Sequence, residues 1–390
     1  MKNFLKYLII IIIIMSAAFL SVMKFYRYFE FNLSTPQIIF VILSFAAGIC
    51  VFYFISIIFH ELGHAVMGKI NGFKLYQISF LFLTFLRKNG KWRVVLRRSK
   101  YAGVTISVPV SSKNLYKRYG AMVSGGLIGT LVSALGFLFN MLFVQFSEIN
   151  GIYFYAVLSA GFIVSLYLLI INSIPAYSNG IATDGGIIYG ILKKNSETNI
   201  LINILNIQSQ FFAGLSPSEI NQDFYFNTPV IADNNVNKIF LLNYRHAYYL
   251  DKFDFENADK TVKQLGRLKE YIPDMYLNLI LADEFFNTVF YDKNNVLGEN
   301  LYLKIEKILN EDANIYTLRI KMAYELFVKE NPKLAIATGK TALLLKDEYL
   351  LKGVAKMEEK LINHLIDIAE KTIMISADKK PNYTDSMYLQ

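Results

Sequence analysis

The sequence predicts a polytopic α-helical membrane protein. It has about four transmembrane helices with a cytoplasmic β-hairpin element, followed by a C-terminal all-α soluble domain. Three observations predict this class. Of the 390 residues, 54% are hydrophobic and only 18% are charged, which is a membrane composition. The charge is split: residues 1–200 carry 18 Lys/Arg against 5 Asp/Glu, and residues 201–390 carry 22 against 26. A basic membrane part therefore precedes a mildly acidic globular one. The hydrophobic pattern also changes near residue 196, from continuous apolar runs to amphipathic helical spacing. Because the basic excess lies beside apolar spans, it reads as membrane topology rather than nucleic-acid binding. The only cysteine, Cys50, excludes an intramolecular disulfide and a cysteine-based zinc site.

In chain order, Leu5 to Met23 is an apolar run long enough to cross a bilayer. It lacks a small-x-small cleavage site and Lys24 and Arg27 follow it, so it reads as a retained span rather than a signal peptide. Pro36 to Phe59 is the second span. Residues 65–118 carry twelve Lys/Arg and no Asp, Glu or His, which places them on the cytoplasmic side. Phe73 to Phe85, Lys91 to Arg97 and Gly103 to Val110 are rich in β-branched and aromatic residues and read as strands, with Asn89-Gly90 as a hairpin turn. This β element (70–112) is either a surface hairpin or a sheet edge that holds an extended substrate by strand addition. Tyr119 to Phe146 is the third span. Its glycines at 120, 125, 126, 129 and 136 suit close helix packing in lipid. A short outer turn leads to the fourth span, Ile152 to Ile174, so that both termini face the cytoplasm.

Residues 196–235 are polar and Asn-rich and read as a linker with some short structure. Residues 236–375 read as successive amphipathic helices: Tyr244 to Asp251, Phe255 to Tyr271, Met275 to Phe290, Leu301 to Leu309, Ile315 to Lys329, Lys333 to Leu345 and Tyr349 to Thr372. Ala323, Leu326 and Ala335 match tetratricopeptide (TPR) spacing. Residues 376–390 read as a disordered tail. Residues 1–35 form the N-terminal span with its outer turn, and 36–195 form the membrane core.

The chemistry concentrates in His60-Glu61-Leu62-Gly63-His64, at the end of an apolar run. Residues four apart share one helix face, so His60 and His64 can hold one Zn²⁺, with Glu61 beside them as general base toward water. Ionisable residues inside such a span are costly and point to function. Only four histidines occur in the chain, and two fall here; His246 and His364 lack ligand-like spacing. A catalytic zinc takes three protein ligands. Residues 65–118 offer none, and Glu148 lies across the membrane. Asp184, followed by Gly185 and Gly186, is the first carboxylate left on the cytoplasmic side. It is either the third ligand or the cap of a helix starting near Ile187.

His60-Glu61-Leu62-Gly63-His64 on one span, small residues on the next, and Asn172-x-x-Pro175 with Asp184-Gly185 on a third resemble the site-2 protease family of intramembrane zinc metalloproteases. The resemblance covers residues 36–190. It implies that His60, His64 and Asp184 bind one zinc per chain, that Glu61 activates the water, and that Asn172 acts on substrate or transition state. It also implies that the β element lines the substrate path. The chain departs from the family in two respects: Tyr177 to Thr183 reads as an insertion, and neither a PDZ nor a CBS domain is present. The expected function is hydrolysis of a peptide bond in a transmembrane protein or peptide substrate, near the cytoplasmic face of a bacterial cell membrane. Regulated intramembrane proteolysis or signal-peptide maturation would fit. A non-proteolytic membrane scaffold or a peptide export or immunity factor on the same fold is the alternative, as is a membrane-anchored protease cutting soluble segments. The expected partners are the bilayer, the substrate and a protein bound by the C-terminal helices, with no nucleic acid.

Overall fold

A computed structural model describes residues 33–88, 91–96, 102–143, 149–178, 181–272, 274–311 and 313–378. The first expected span, the hairpin turn Asn89-Gly90 and residues 379–390 of the expected disordered tail lie outside the described residues. Residues 376–378 of that tail are instead helical and continue the last helix (Lys352–Asp378), which corrects that expectation. The chain divides into two units, residues 1–108 with 114–195, and residues 109–113 with 196–390. The fold is mostly helical, and among the described residues three helices are long and apolar enough to cross a membrane.

The first unit is built on α1 (Thr35–Ile70). Ser34 and Gln37 form a reciprocal capping box, and Pro36 sits in the first turn, where its missing N–H costs nothing. Thirty-six helical residues reach about 54 Å, well beyond a hydrocarbon core of about 30 Å. The histidine motif therefore lies in the last third of the helix. Asn71 and Gly72 end it, with Gly72 at φ +73°, and Arg118 donates to the carbonyls of both (2.6 and 2.8 Å). The other two spans are α2 (Leu115–Phe143) and α3 (Ile149–Ser173). Glycines bring α1 and α2 together: a Cβ on Gly63 would overlap Gly125, and one on Gly129 would overlap Phe59. At the centre of the three helices Ser165 Oγ meets Ser56 Oγ at 2.7 Å and Ser133 Oγ at 3.1 Å, one hydroxyl from each span. Outward-facing Ile39, Phe40, Ile42, Leu43, Phe139 and Phe154 are exposed, as lipid-facing side chains are.

A four-stranded sheet follows α1: β1 (Phe73–Phe80), β2 (Leu83–Lys88), β3 (Lys91–Leu96) and β4 (Gly103–Pro109), in the order β3-β2-β1-β4. The pairs β1–β2 and β2–β3 are antiparallel. The run Phe73 to Phe85, expected as one strand, is broken at Leu81-Phe82. No turn residue announces the break. Leu81 takes φ +52°, donates its N–H to Ala102 O at 2.7 Å, and packs with the cluster of Ile57, Ile78 and Phe80. Tertiary packing, not turn chemistry, bends the chain there. After α3, a two-residue hairpin, β5 (Tyr177–Ser178) with β6 (Ile181–Ala182), leads to α4 (Asp184–Lys193).

The second unit contains nine further helices among the described residues, α5 (Ser196–Ala213), the single turn α6 (Asp223–Phe226), α7 (Val236–Asp251), α8 (Phe255–Arg267), α9 (Asp274–Phe290), α10 (Asn295–Glu311), α11 (Ile315–Ala323), α12 (Pro332–Leu344) and α13 (Lys352–Asp378). The expected linker over 196–235 is corrected here. Ile200, Ile204, Ile207 and Phe211 stand on one face of α5 and are buried against Ile220, Tyr225, Leu241 and Tyr248. The polar residues between them hid that face. The single helix expected over Ile315 to Lys329 also changes at Tyr324–Val328 to a π-helical turn, where Tyr324 stacks on Tyr302 at 3.7 Å.

Candidate metal centre

His60 and His64 lie one turn apart on α1, and Asp184 opens α4. The three come together. His60 Nε2 stands 3.2 Å from His64 Nε2, and Asp184 Oδ2 stands 3.3 Å from each. The three residues form a group that could hold a metal ion.

Asp184 is brought there by its neighbours. The segment 177–183 forms the β5–β6 hairpin, and its base closes with Thr183 N donating to Ala176 O at 2.9 Å. Thr183 caps α4: its hydroxyl accepts from Gly186 N at 3.1 Å and donates to Ile174 O at 2.5 Å. The capping role that Asp184 could have taken is therefore filled, and its carboxylate is left for the cluster. Gly185 lets α4 meet the end of α3, since a Cβ there would overlap Ser173 O.

Both imidazoles are held from behind. His64 Nδ1 lies 3.2 Å from Met122 O, a carbonyl that can only accept, so Nδ1 carries the proton. His60 Nδ1 lies 2.9 Å from Thr130 Oγ1, and the Thr130 hydroxyl donates to Gly126 O at 2.9 Å. That hydroxyl therefore accepts from His60 Nδ1–H. Nε2 of each ring faces the other ring and Asp184 Oδ2, a buried oxygen with no other hydrogen-bond partner. Three such atoms this close call for a positive charge among them, supplied by a proton on one Nε2 or by a metal ion. Ligand atoms sharing one tetrahedral zinc at about 2.0–2.1 Å stand roughly 3.3 Å from one another, which is the spacing found. The residues thus fit a zinc-sized ion with one coordination position left over.

Glu61 contributes no atom to the three-residue group and is 5% exposed. Thr105 Oγ1 on β4 donates to its Oε2 at 2.5 Å. Gly103 lies against the same carboxyl group, and any Cβ there would overlap it. Asn172 is not drawn into the cluster by a hydrogen bond; its Nδ2 donates to Leu168 O, one turn back in α3, at 2.9 Å. His246 is buried in the second unit beside Asp283, and His364 packs among Phe253, Phe255 and Phe290.

Sequence reasoning assigned the α2 glycines to helix packing alone. Gly126 does more: a Cβ there would overlap His64 Nε2 and come within 2.8 Å of Asp184 Oδ2, so its hydrogen clears the centre. Thr105, Thr130 and Gly103 were not singled out. Their only signal is a small or hydroxyl-bearing residue inside an apolar stretch. Compared with family models, curated proteins and solved structures, the chain finds no match in any of the three.

Proposed function

We propose that the chain is a zinc-dependent intramembrane endopeptidase of the site-2 protease type, cutting a membrane-spanning or membrane-associated substrate near the cytoplasmic face. The observation that carries the reading is the convergence of His60, His64 and Asp184 inside an apolar helix bundle. A charge-poor span does not collect such a group without a ligand to satisfy it. Zinc held there would supply an activated water near neutral pH and polarise a carbonyl.

Glu61 takes the proton of the attacking water and later delivers it to the leaving amine. Thr105 fixes the direction of that carboxylate. β4 is an edge strand of the sheet, so an extended substrate segment laid along it has backbone groups to pair with. The substrate must be extended because helical hydrogen bonds shield a scissile bond. Asn172 is assigned to substrate or transition state on the family resemblance alone. In this reading the span over Leu5 to Met23 makes four in all, both termini are cytoplasmic in a bacterial cell membrane, and the TPR-like C-terminal helices bind a protein partner. Release of a membrane-held regulator or maturation of a peptide would be the product.

The test is zinc content by mass spectrometry in the purified wild type and three variants. One zinc per chain is expected in the wild type and in Glu61→Gln, with loss in His60→Ala and a marked fall in Asp184→Asn. Glu61→Gln should then trap uncut substrate in cells. A carefully prepared wild type without metal would overturn the reading and leave a membrane scaffold or export factor.

A further inference from the structure

Helix α2 contributes no ligand to the cluster, yet it anchors both histidines. Met122, Gly126 and Thr130 recur every four residues and so form one face of α2. Met122 O receives His64 Nδ1–H, Gly126 leaves room for His64 Nε2 and Asp184 Oδ2, and Thr130 Oγ1 receives His60 Nδ1–H. We propose that this face is the outer shell of the metal centre and that Thr130 is its positioning residue, setting the tautomer and ring orientation of His60. The proposal rests on the metal reading above.

The two anchors are not equivalent. His64 leans on a backbone carbonyl, which no substitution at Met122 removes. His60 leans on the Thr130 side chain, with the Gly126 carbonyl as a further backbone partner, and the side-chain oxygen can be deleted. A threonine hydroxyl in a transmembrane helix commonly bonds back to the carbonyl four residues earlier, and Thr130 does so with Gly126 O. That bond uses the only proton the hydroxyl has. It turns Thr130 into an obligate acceptor toward His60, which is the polarity a metal-binding Nε2 requires from the partner of its Nδ1. Thr130 is fully buried, so water cannot take the place of the hydroxyl. Valine keeps the shape of threonine but offers His60 no lone pair. The ring then keeps only the Gly126 carbonyl as a partner and is held less firmly, and a flip or a proton moved to Nε2 removes a ligand.

The experiment is zinc affinity in detergent, by competition with a chromophoric chelator, on full-length wild type, Thr130→Val and Thr130→Ser. Loss of such an outer partner weakens metal binding by about 10–100-fold. Thr130→Val is expected to bind zinc at least tenfold more weakly, and Thr130→Ser within twofold of wild type. Cobalt substitution adds a geometric readout: the visible band of the Val variant should shift or split while that of Ser should not. Equal affinity in Val and wild type would overturn the role of Thr130 and leave the metal site intact. A Ser variant as weak as Val would assign the effect to packing of the methyl group and also overturn it. A wild type that binds no zinc overturns both readings. Should the Val variant not accumulate in folded form, ¹⁵N spectra of the histidine-labelled, zinc-loaded wild type decide. Protonated Nδ1 on both His60 and His64 is expected, and a bare Nδ1 on His60 would overturn the proposal.

Discussion

Each unit of this chain buries a polar cluster, and the two are built on opposite principles. In the second unit Arg319 is completely buried and pairs with Glu358, with Asp283 at 3.7 Å, while its guanidinium lies over the Phe286 ring. Tyr316 and His246 also face Asp283. Positive and negative groups there come from the chain itself. In the membrane unit His60, His64 and Asp184 face one another, and no Lys or Arg approaches them among the described ion pairs. The first cluster carries its own counter-charge in a guanidinium; the second has none from Lys or Arg and is the group that could hold a metal ion.

The largest expected break of this contrast is His64→Ala. It removes a ligand and should abolish stoichiometric zinc, while the thermal unfolding of the helical unit stays as it was. Next is the reverse case. Glu358→Gln leaves a buried guanidinium without its partner and should destabilise the second unit by about 3–5 kcal/mol. The double change Arg319→Met with Glu358→Met should recover much of that loss. Pulse proteolysis on the full chain measures both, and zinc content should not move in either.

A smaller effect separates the units by pH. Burial drives His246 below the ordinary histidine value, against the pull of Asp283 and with Arg319 adding to the fall. Below about pH 6.5 the unfolded chain binds a proton that the folded unit refuses, so stability should fall as pH drops from 7.5 toward 5.5. His246→Gln should flatten that slope in melting curves. Asp251 acts further down the scale. Burial opposes its charge, but Lys360 at 2.7 Å and two bonds from Ser218 outweigh it and hold the carboxyl below the usual Asp range. Its contribution is complete above about pH 4 and is lost as pH falls through the lowered folded value. Asp251→Asn should remove that acid-limb loss. The smallest effect is Ser165→Ala, which deletes the central hydroxyl of the three-span cluster and should cost about 0.6 kcal/mol, by analogy with other interhelical bonds in membranes. Zinc content again serves as the unchanged control.

What was legible in the sequence followed the range of the interaction. His60, Glu61 and His64 sit within five residues, so helix periodicity alone places the two histidines on one face. Asp184 was reachable because charge is so scarce in the first half that few carboxylates compete. Helices α7, α8, α10 and α13 of the second unit carry clear amphipathic spacing, and the expected helices overlap the observed ones. The outer partners were not legible. Thr130 stands 70 residues from His60 and Thr105 stands 44 from Glu61. No local pattern marks a threonine that will meet a histidine across a helix interface. The Leu81-Phe82 turn and the buried face of α5 were missed for the same reason: an apolar partner from elsewhere in the chain, not a turn or a periodicity, fixes them.

The convergence of one ligand from α4 with two from α1 also sets a timetable for biogenesis. Asp184 is synthesised 120 residues after His64, when α2 and α3 have already entered the bilayer. Until then the two imidazoles lack the third member of their group, although Ser165 has already been made and can meet Ser56. A ribosome stalled after α3 carries a span with its histidines in place and its third donor missing. The three-residue group is therefore completed only after all three spans have been made.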